Sequence, residues 1–228
     1  MVYGDYELYD SHYLFTYERD ILDRVSSSTE NGSKVPRPEE SEDERVVLTP
    51  DEMWGYSTDE VLVNWREGVT QTIILYPHLY TCNYTYEIRN VTNLQYVTRI
   101  CAAISGMSGE FDISTEVNSL ETMTLPLDAE WTSTTIYGQF YTFGYNEDID
   151  VTKQLMLYVW SADGAKHSYG TSGDEHFNVT QQILDAPDKR NVHIIIDGLE
   201  LYRPQEVNSD GFSTSTDDWE EENTTIYL

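Results

Sequence analysis

Apolar and polar residues alternate along much of the chain, and this alternation predicts β-strands. The clearest example is "YTCNYTYEIRNV" (80–91), in which apolar or aromatic residues recur at every second position. A period of two is typical of a strand that buries one face. Other apolar segments predict strands at 61–65, 70–78, 123–128, 133–144 and 154–163. The nearly continuous apolar run "VHIIID" within 192–201 predicts a central strand that is buried on both faces.

The spacing of apolar residues changes in "NLQYVTRICAAIS" (93–105), and there it predicts a helix. The apolar stripe consists of Leu94, Val97, Ile100, Cys101 and Ile104. Residues three or four positions apart lie on one face of an α-helix. Asn93 can cap the start of this helix, and Gly106 can end it. We therefore expect one helix, at about 93–105, to cross the sheets.

Shorter elements are predicted from capping and turn residues. "TPDEMW" (49–54) has the cap and proline of a one-turn helix start, and "VTQQILDAP" predicts a short helix ended by Pro187. Asp163 and Gly164 predict a hairpin that pairs 154–161 with the residues after 165.

These elements together predict a mainly β protein, a sandwich of roughly seven to nine strands with short extra helical turns. The sandwich is assigned to residues 46–204. Residues 26–45 are acidic and hold one apolar residue before a proline pair, so they predict a linker. Residues 1–25 are an edge strand or the remnant of a preceding domain. Residues 205–228 predict a flexible acidic tail, although its "NTTIYL" ending could pair as a strand.

Net charge excludes one class of partner. The chain carries 41 acidic and 13 basic residues, a formal net charge of −28. Such a field repels nucleic acids and anionic membrane surfaces. No apolar run reaches the roughly 18 residues that a membrane span needs, so membrane contact is expected only through a lipid anchor that this sequence lacks. Abundant Tyr and Thr with few Lys favour an exported protein whose signal peptide is absent from the chain.

The two cysteines, Cys82 and Cys101, are candidates for a disulfide in an oxidising compartment. Cys101 also fits a small apolar core position. Cys101 lies on an apolar stripe without a neighbouring base, so a nucleophilic role is not expected. No nucleophile elbow, phosphate loop or dinucleotide fingerprint is present, and the sequence predicts a protein without enzymatic activity.

Two polar segments are candidate metal sites. Asn146, Asp148 and Asp150 alternate like the start of a calcium loop, and a weak surface calcium is the strongest cofactor candidate. The sixth position of that loop is Val151 rather than glycine, which favours a solvated acidic turn. The cluster of His167, Asp174, Glu175 and His176 lacks the fixed spacing of a zinc site, and we predict no bound metal there.

A carbohydrate-binding surface is the alternative to a purely structural role. Aromatic side chains alternate along the strand predicted at 133–144. The candidate glycan-stacking residues are Trp131, Tyr137, Tyr141 and Phe143. The competing interpretation is that these side chains cover the core, because one face of that strand must do so. Host or dietary glycans would be the ligands.

The order of several segments along residues 46–204 carries a resemblance to a known family. These segments are "TPDEMW", "YEIRNVTNLQYVTRICAAISGMSG", "IYGQFYTFGYN", "LMLYVWSADGAKHSYGTSGDEHFNVTQQI" and "DAPDKRNVHIIIDGLELYRP". Together they resemble Bacteroidales surface lipoproteins allied to the fimbrillins and fimbrial anchor proteins.

The resemblance implies a transthyretin-like, Greek-key β-sandwich that is exported to the outer-membrane surface through a lipid-modified cysteine. It also implies a subunit, anchor or accessory protein of adhesive fimbriae, with other fimbrial subunits or surface proteins as partners by strand exchange. Such proteins usually carry a second, N-terminal sandwich, for which residues 1–45 are too few.

A third hypothesis is a secreted binding protein whose five sequons are glycosylated.

Overall fold

The computed structural model describes residues 7–9, 12–14, 37–56, 67–68, 70–112, 115–171 and 175–204. Several predictions lie outside the described residues: most of the N-terminal segment and linker, the strand at 61–65, Asp174 and the acidic tail.

Strands dominate the described chain. In order they are β1 (Glu7–Tyr9), β2 (His12–Leu14), β3 (Arg45–Val46), β4 (Trp54–Gly55), β5 (His78–Leu79), β6 (Cys82–Thr92), β7 (Val97–Ser108), β8 (Phe111–Asp112), β9 (Val117–Asn118), β10 (Thr122–Leu127), β11 (Glu130–Trp131), β12 (Ile136–Thr142), β13 (Leu155–Ser161), β14 (Lys166–Tyr169) and β15 (Asn191–Glu200). The described α-helix, α1, spans Thr180–Leu184, and 3₁₀ turns span Glu39–Ser41, Leu94–Tyr96 and Glu175–Phe177.

Two larger sheets form the body. One has five strands in the order β14-β13-β7-β10-β3, and the other has four in the order β11-β12-β6-β15. Neighbours are antiparallel except for two parallel pairs, β10 with β3 and β6 with β15. One core cluster draws its buried side chains from both sheets, which is the layout of a sandwich. The prediction of a mainly β sandwich is confirmed, whereas the Greek-key connectivity stays a prediction.

Alternation along β6 fixes the inner face of the four-stranded sheet. Tyr84, Tyr86 and Ile88 are each at most 1% exposed and point into the core. The Tyr86 hydroxyl donates to the Asp128 carbonyl oxygen at 2.6 Å, so this buried phenol has its hydrogen-bond partner. The opposite positions of β6 therefore form the outer face of the sheet.

The predicted helix at about 93–105 is wrong. A 3₁₀ turn at Leu94–Tyr96 leads directly into β7, which lies between β13 and β10. Ile104 packs into the core between the sheets, whereas Ala103 belongs to a cluster on the other face of the five-stranded sheet. A strand buried on both faces has apolar residues at nearly every position, and that run contained a helical spacing by coincidence.

The prediction of a central strand at 192–201 is also wrong. β15 pairs with β6 on one side and is the edge of its sheet within the described residues. Its inward residues Val192, Ile194 and Ile196 are buried, while Ile195 is half-buried on the outer face. The apolar run therefore reflects partial cover of the outer face and not two neighbouring strands.

Turn and cap signals had mixed success. The hairpin at Gly164 is confirmed by the pairing of β13 with β14, and the short helix before Pro187 is confirmed as α1. The helix predicted at 49–54 is wrong, because that segment has no helical residue and Trp54 begins β4. The strand predicted at 70–78 is reduced to its last residue, His78, which begins β5.

Candidate functional site

The outer face of the four-stranded sheet gathers polar and aromatic side chains. Strand pairing sets Tyr137 opposite Glu87, Gln139 opposite Thr85, and Tyr141 opposite Asn83. His193 on β15 pairs with Thr85 from the other side. Paired residues point to the same side of a sheet. The outer face thus consists of Asn83, Thr85, Glu87, Tyr137, Gln139, Tyr141 and His193.

One carboxylate joins two aromatic side chains at one end of the outer face. Glu52 accepts a hydrogen bond from Trp54 Nε1 at 2.6 Å and another from the Tyr141 hydroxyl at 3.0 Å. These bonds hold the pKa of Glu52 below its usual range, and the bond from Trp54 has the larger effect. Trp54 is 59% exposed. The polar atoms of both rings are therefore engaged, and solvent reaches the indole.

A second aromatic residue is held in the same way at the other end. The Tyr137 hydroxyl donates to Glu130 Oε2 at 2.9 Å, and this bond raises the pKa of the phenol. Tyr137 is 39% exposed. Two tyrosines, each with its hydroxyl bound to a carboxylate, thus lie on one strand, four residues apart.

The centre of the outer face carries amide and hydroxyl groups. Gln139 Nε2 donates to Asn83 Oδ1 at 2.8 Å, and the Thr85 hydroxyl lies 2.8 Å from His193 Nδ1. Glu87 accepts from Arg89 at 2.9 Å, which lowers the pKa of that carboxyl group. The space between the two tyrosines is therefore polar, and its central amide pair is uncharged.

The free edge of β15 is a second feature of the same sheet. Gln182 on α1 accepts from the Ile195 amide at 2.8 Å and donates to the Ile195 carbonyl at 2.9 Å. His176 Nε2 lies 2.7 Å from the Gly198 carbonyl. Within the described chain, side chains rather than a neighbouring strand occupy this edge.

The four predicted glycan-stacking residues do not lie together. Tyr137 and Tyr141 share the outer face, but Trp131 pairs with the buried Ile136 and so points to the opposite side of the sheet. Phe143 follows the end of β12, is 4% exposed, and stacks on Phe111 with ring centroids 5.4 Å apart. The sequence analysis missed Trp54, because its proximity to Tyr141 arises from the folded chain and no local pattern encodes it.

The candidate disulfide is not present in the structure. Cys82 and Cys101 are free thiols. Cys82 packs against the core between the sheets, whereas Cys101 packs against the cluster on the other face of the five-stranded sheet. One layer of sheet separates them, and burial raises the pKa of each thiol. A raised pKa disfavours the reactive thiolate.

The two segments considered as metal sites have other local contacts. Asn146 donates to the Asn118 carbonyl and accepts from the Asp148 amide, so its side chain holds the turn. His167 stacks on Tyr202 with ring centroids 4.1 Å apart, whereas His176 Nε2 lies 2.7 Å from the Gly198 carbonyl oxygen. The described residues contain no group of three or more His, Cys, Asp or Glu arranged to hold a metal. The weak calcium site stays a prediction.

None of the helices in the described part of the chain is long and apolar enough to cross a membrane.

Comparison with known proteins gives one family and a shared fold. The family model described as "Domain of unknown function (DUF5119)" matches residues 1–128. No curated protein matches the chain. A solved structure of a candidate adhesin from Bacteroides ovatus ATCC 8483 has a TM-score of 0.51 and 15% sequence identity, over 70% of this chain and 62% of that one. The chain thus spans less than two thirds of that structure.

Two other solved structures are more distant. The fimbrial anchor protein Mfa2 from Porphyromonas gingivalis has a TM-score of 0.31 and 15% identity, over 59% of this chain and 47% of that chain. Another candidate adhesin from Bacteroides ovatus has a TM-score of 0.36 and 9% identity, over 68% and 52%. These two likenesses are too weak to define a shared fold. The first structure shows that the chain shares its fold with a candidate adhesin from Bacteroides ovatus.

Proposed function

The chain belongs to the DUF5119 family, and we propose that it is a non-catalytic surface adhesion protein of the fimbrillin-like type. In this proposal it is exported, is held at the outer-membrane surface, and pairs β-strands with fimbrial subunits or other surface proteins. The fold shared with the Bacteroides ovatus candidate adhesin supports the proposal.

The observation that carries the proposal is the edge of β15. This ten-residue strand has a strand neighbour on only one side within the described residues. A long edge strand presents backbone donors and acceptors that a strand of another chain can pair with. Ile195 directs its amide and carbonyl outward to Gln182, and alternation places the backbone groups of His193 and Asp197 on the same side.

The two hydrogen bonds between the Gln182 side chain and Ile195, here called the Gln182 cap, cover only part of this edge. The cap satisfies one residue through a side chain, whereas an incoming strand would bond at His193, Ile195 and Asp197 together. An incoming strand must therefore displace these two hydrogen bonds, each with a net value of about 1 kcal/mol, and shift the short helix α1 that carries Gln182. The cap lowers accidental pairing without preventing a matched partner from binding.

Removing the cap tests the proposal. We expect Gln182→Ala to strengthen self-association of the purified chain by roughly 5- to 30-fold, because a pairing strand no longer competes with the side-chain amide. Gln181→Ala is the matched control, since Gln181 is an exposed neighbour on the same helix. Sedimentation velocity over a concentration series measures the association constant. Equal association constants for the two variants would contradict strand pairing at this edge.

A further inference from the structure

We propose that the outer face of the four-stranded sheet is a binding site for a neutral oligosaccharide, with Tyr137 and Tyr141 as the stacking residues. This proposal goes beyond strand pairing, because it concerns the face of the sheet and not its edge. It also differs from the four-residue surface predicted from the sequence, since Trp131 and Phe143 are excluded and Trp54 is added.

The two tyrosine rings are fixed with their hydroxyl groups already bound. Tyr141 donates to Glu52, which also binds Trp54, and Tyr137 donates to Glu130. With these hydroxyl groups engaged, what remains for a ligand is mainly aromatic surface. The face of an aromatic ring carries partial negative charge. It therefore suits the C–H groups on one side of a pyranose ring.

The spacing of the tyrosines suits a chain of sugars. Four residues along a strand span about 14 Å at about 3.4 Å per residue. A single sugar ring cannot reach both tyrosines, so the site fits an oligosaccharide that lies along β12. Trp54 extends the aromatic surface beyond Tyr141 through their shared carboxylate.

The groups between the tyrosines distinguish sugar hydroxyls from other ligands. The hydrogen bond between Gln139 and Asn83 uses one amide N–H and one carbonyl oxygen. Each amide can make further hydrogen bonds, so the pair offers both donors and acceptors. A hydroxyl group both donates and accepts, whereas Lys and Arg side chains only donate. The centre of the face is thus complementary to a polyhydroxyl ligand rather than to a basic peptide.

Charge then decides between neutral and acidic sugars. Carboxylates lie at both ends of the face, at Glu52 and Glu130, whereas the carboxylate of Glu87, opposite Tyr137, is paired with Arg89. The whole chain adds a net charge of −28. These charges would repel uronic acid or sulfate groups, and the repulsion energy rises as the charged groups come closer. The site therefore selects neutral glycans.

Titration with defined oligosaccharides tests the proposal. The probes are cellohexaose, xylohexaose and mannohexaose, with hexagalacturonate as the acidic match. Isothermal titration calorimetry and saturation-transfer NMR measure binding to the full chain. We expect at least one neutral hexasaccharide to bind and hexagalacturonate to bind at least tenfold more weakly.

Variants locate the site. Tyr137→Ala and Tyr141→Ala should each weaken binding at least tenfold, and Tyr141→Phe, which keeps the ring, should change it less than threefold. Trp131→Ala is the matched control, because Trp131 has nearly the same exposure as Tyr137 but points to the other side of the sheet. It should change binding less than twofold. Thermal melts confirm that each variant is folded.

Several results would overturn the proposal. They are no binding of any neutral probe at millimolar concentration, tighter binding of hexagalacturonate, and equal effects of Tyr137→Ala and Trp131→Ala. Gln182→Ala should leave sugar binding unchanged. Failure of strand pairing and failure of sugar binding are therefore separate results.

Discussion

The half-buried side chain of Glu44 supplies hydrogen-bond acceptors at an irregular part of the five-stranded sheet. The pairing of β7 with β10 shifts its register between Met123 and Leu125. The Glu44 carboxylate accepts there from the Gly106 amide at 3.1 Å and from the Thr124 hydroxyl at 2.8 Å. Burial is the main cause that raises the pKa of Glu44, and these hydrogen bonds oppose it.

This raised pKa predicts a pH dependence of stability. The folded chain holds the Glu44 proton more tightly than the unfolded chain, whose carboxyl group has the ordinary pKa of 4.5. The stabilising contribution is fully present below pH 4.5 and is lost as the pH rises through the folded-state pKa. We expect the free energy of unfolding of the wild type, minus that of Glu44→Gln, to fall as the pH rises from 4.5 to 7.

Urea denaturation at several pH values measures this difference. Glu40→Gln is the control, because Glu40 is exposed in the adjacent 3₁₀ turn. A difference for Glu44→Gln that is constant with pH, or that changes as it does for Glu40→Gln, would show that Glu44 is not a buried, proton-linked group.

Gly106 gives β7 one residue with a left-handed backbone conformation. It has a φ of +74°, and a Cβ atom added there would lie 2.4 Å from the Thr152 carbonyl oxygen. Gly164, in the hairpin between β13 and β14, has a φ of +88°, and a Cβ atom added there would have no other atom within 4 Å. Both glycines thus have a left-handed backbone conformation, but of the two only Gly106 also lacks room for a Cβ atom.

Alanine at these two positions separates backbone strain from steric overlap. We expect Gly164→Ala to cost about 1 kcal/mol and Gly106→Ala about 3 kcal/mol of unfolding free energy. Chemical denaturation measures both. Equal losses would contradict the close approach of the backbone to Thr152.

The sequence predicted correctly those elements whose pattern of apolar residues fits only one type of secondary structure. In β6 only one face is buried, so alternation identified both the strand and its inward residues, such as Tyr84 and Ile88. In β7 both faces are buried, and a run of apolar residues cannot distinguish a strand from a helix. The prediction for Phe143 was wrong because β12 ends at Thr142, and strand ends are weakly encoded. The link from Trp54 through Glu52 to Tyr141 depends on tertiary structure alone.

At the scale of the whole molecule, the family match and the folded unit have different boundaries. The match ends at residue 128, just after β10. Residues 1–128 contain β6 and β7 but lack β12, β13 and β15, which pair with them. The assignment of the sandwich to 46–204 stays a proposal. Contacts of Glu44 and of Arg37, which donates to the Glu44 carbonyl, extend it upstream to residue 37.

Two fragments test this boundary. We expect residues 37–204 to fold with a melting temperature within about 4 °C of the full chain, which corresponds to roughly 1 kcal/mol. Residues 1–128 should show no cooperative melt, because neither sheet has its full set of strands. Circular dichroism melts decide the matter, and a cooperative transition for 1–128 would contradict the single sandwich.

Net charge controls how two copies of the chain approach. With a formal charge of −28, copies repel each other strongly at low ionic strength. At 0.15 M salt the screening length is about 8 Å, and short-range strand pairing can then outweigh the repulsion. Association at the edge of β15 should therefore strengthen with salt, which is opposite to the behaviour of contacts between unlike charges.

Amide hydrogen exchange along β15 tests the central claim, strand pairing at this edge, most directly. By strand alternation the amides of His193, Ile195 and Asp197 point away from β6, where that of Ile195 donates to Gln182, and those of Val192, Ile194 and Ile196 point to β6. At 0.15 M salt we predict that exchange of the three outward amides slows as protein concentration rises, while the three inward amides stay equally protected throughout. Outward amides whose exchange rates do not change with concentration would contradict strand pairing at this edge.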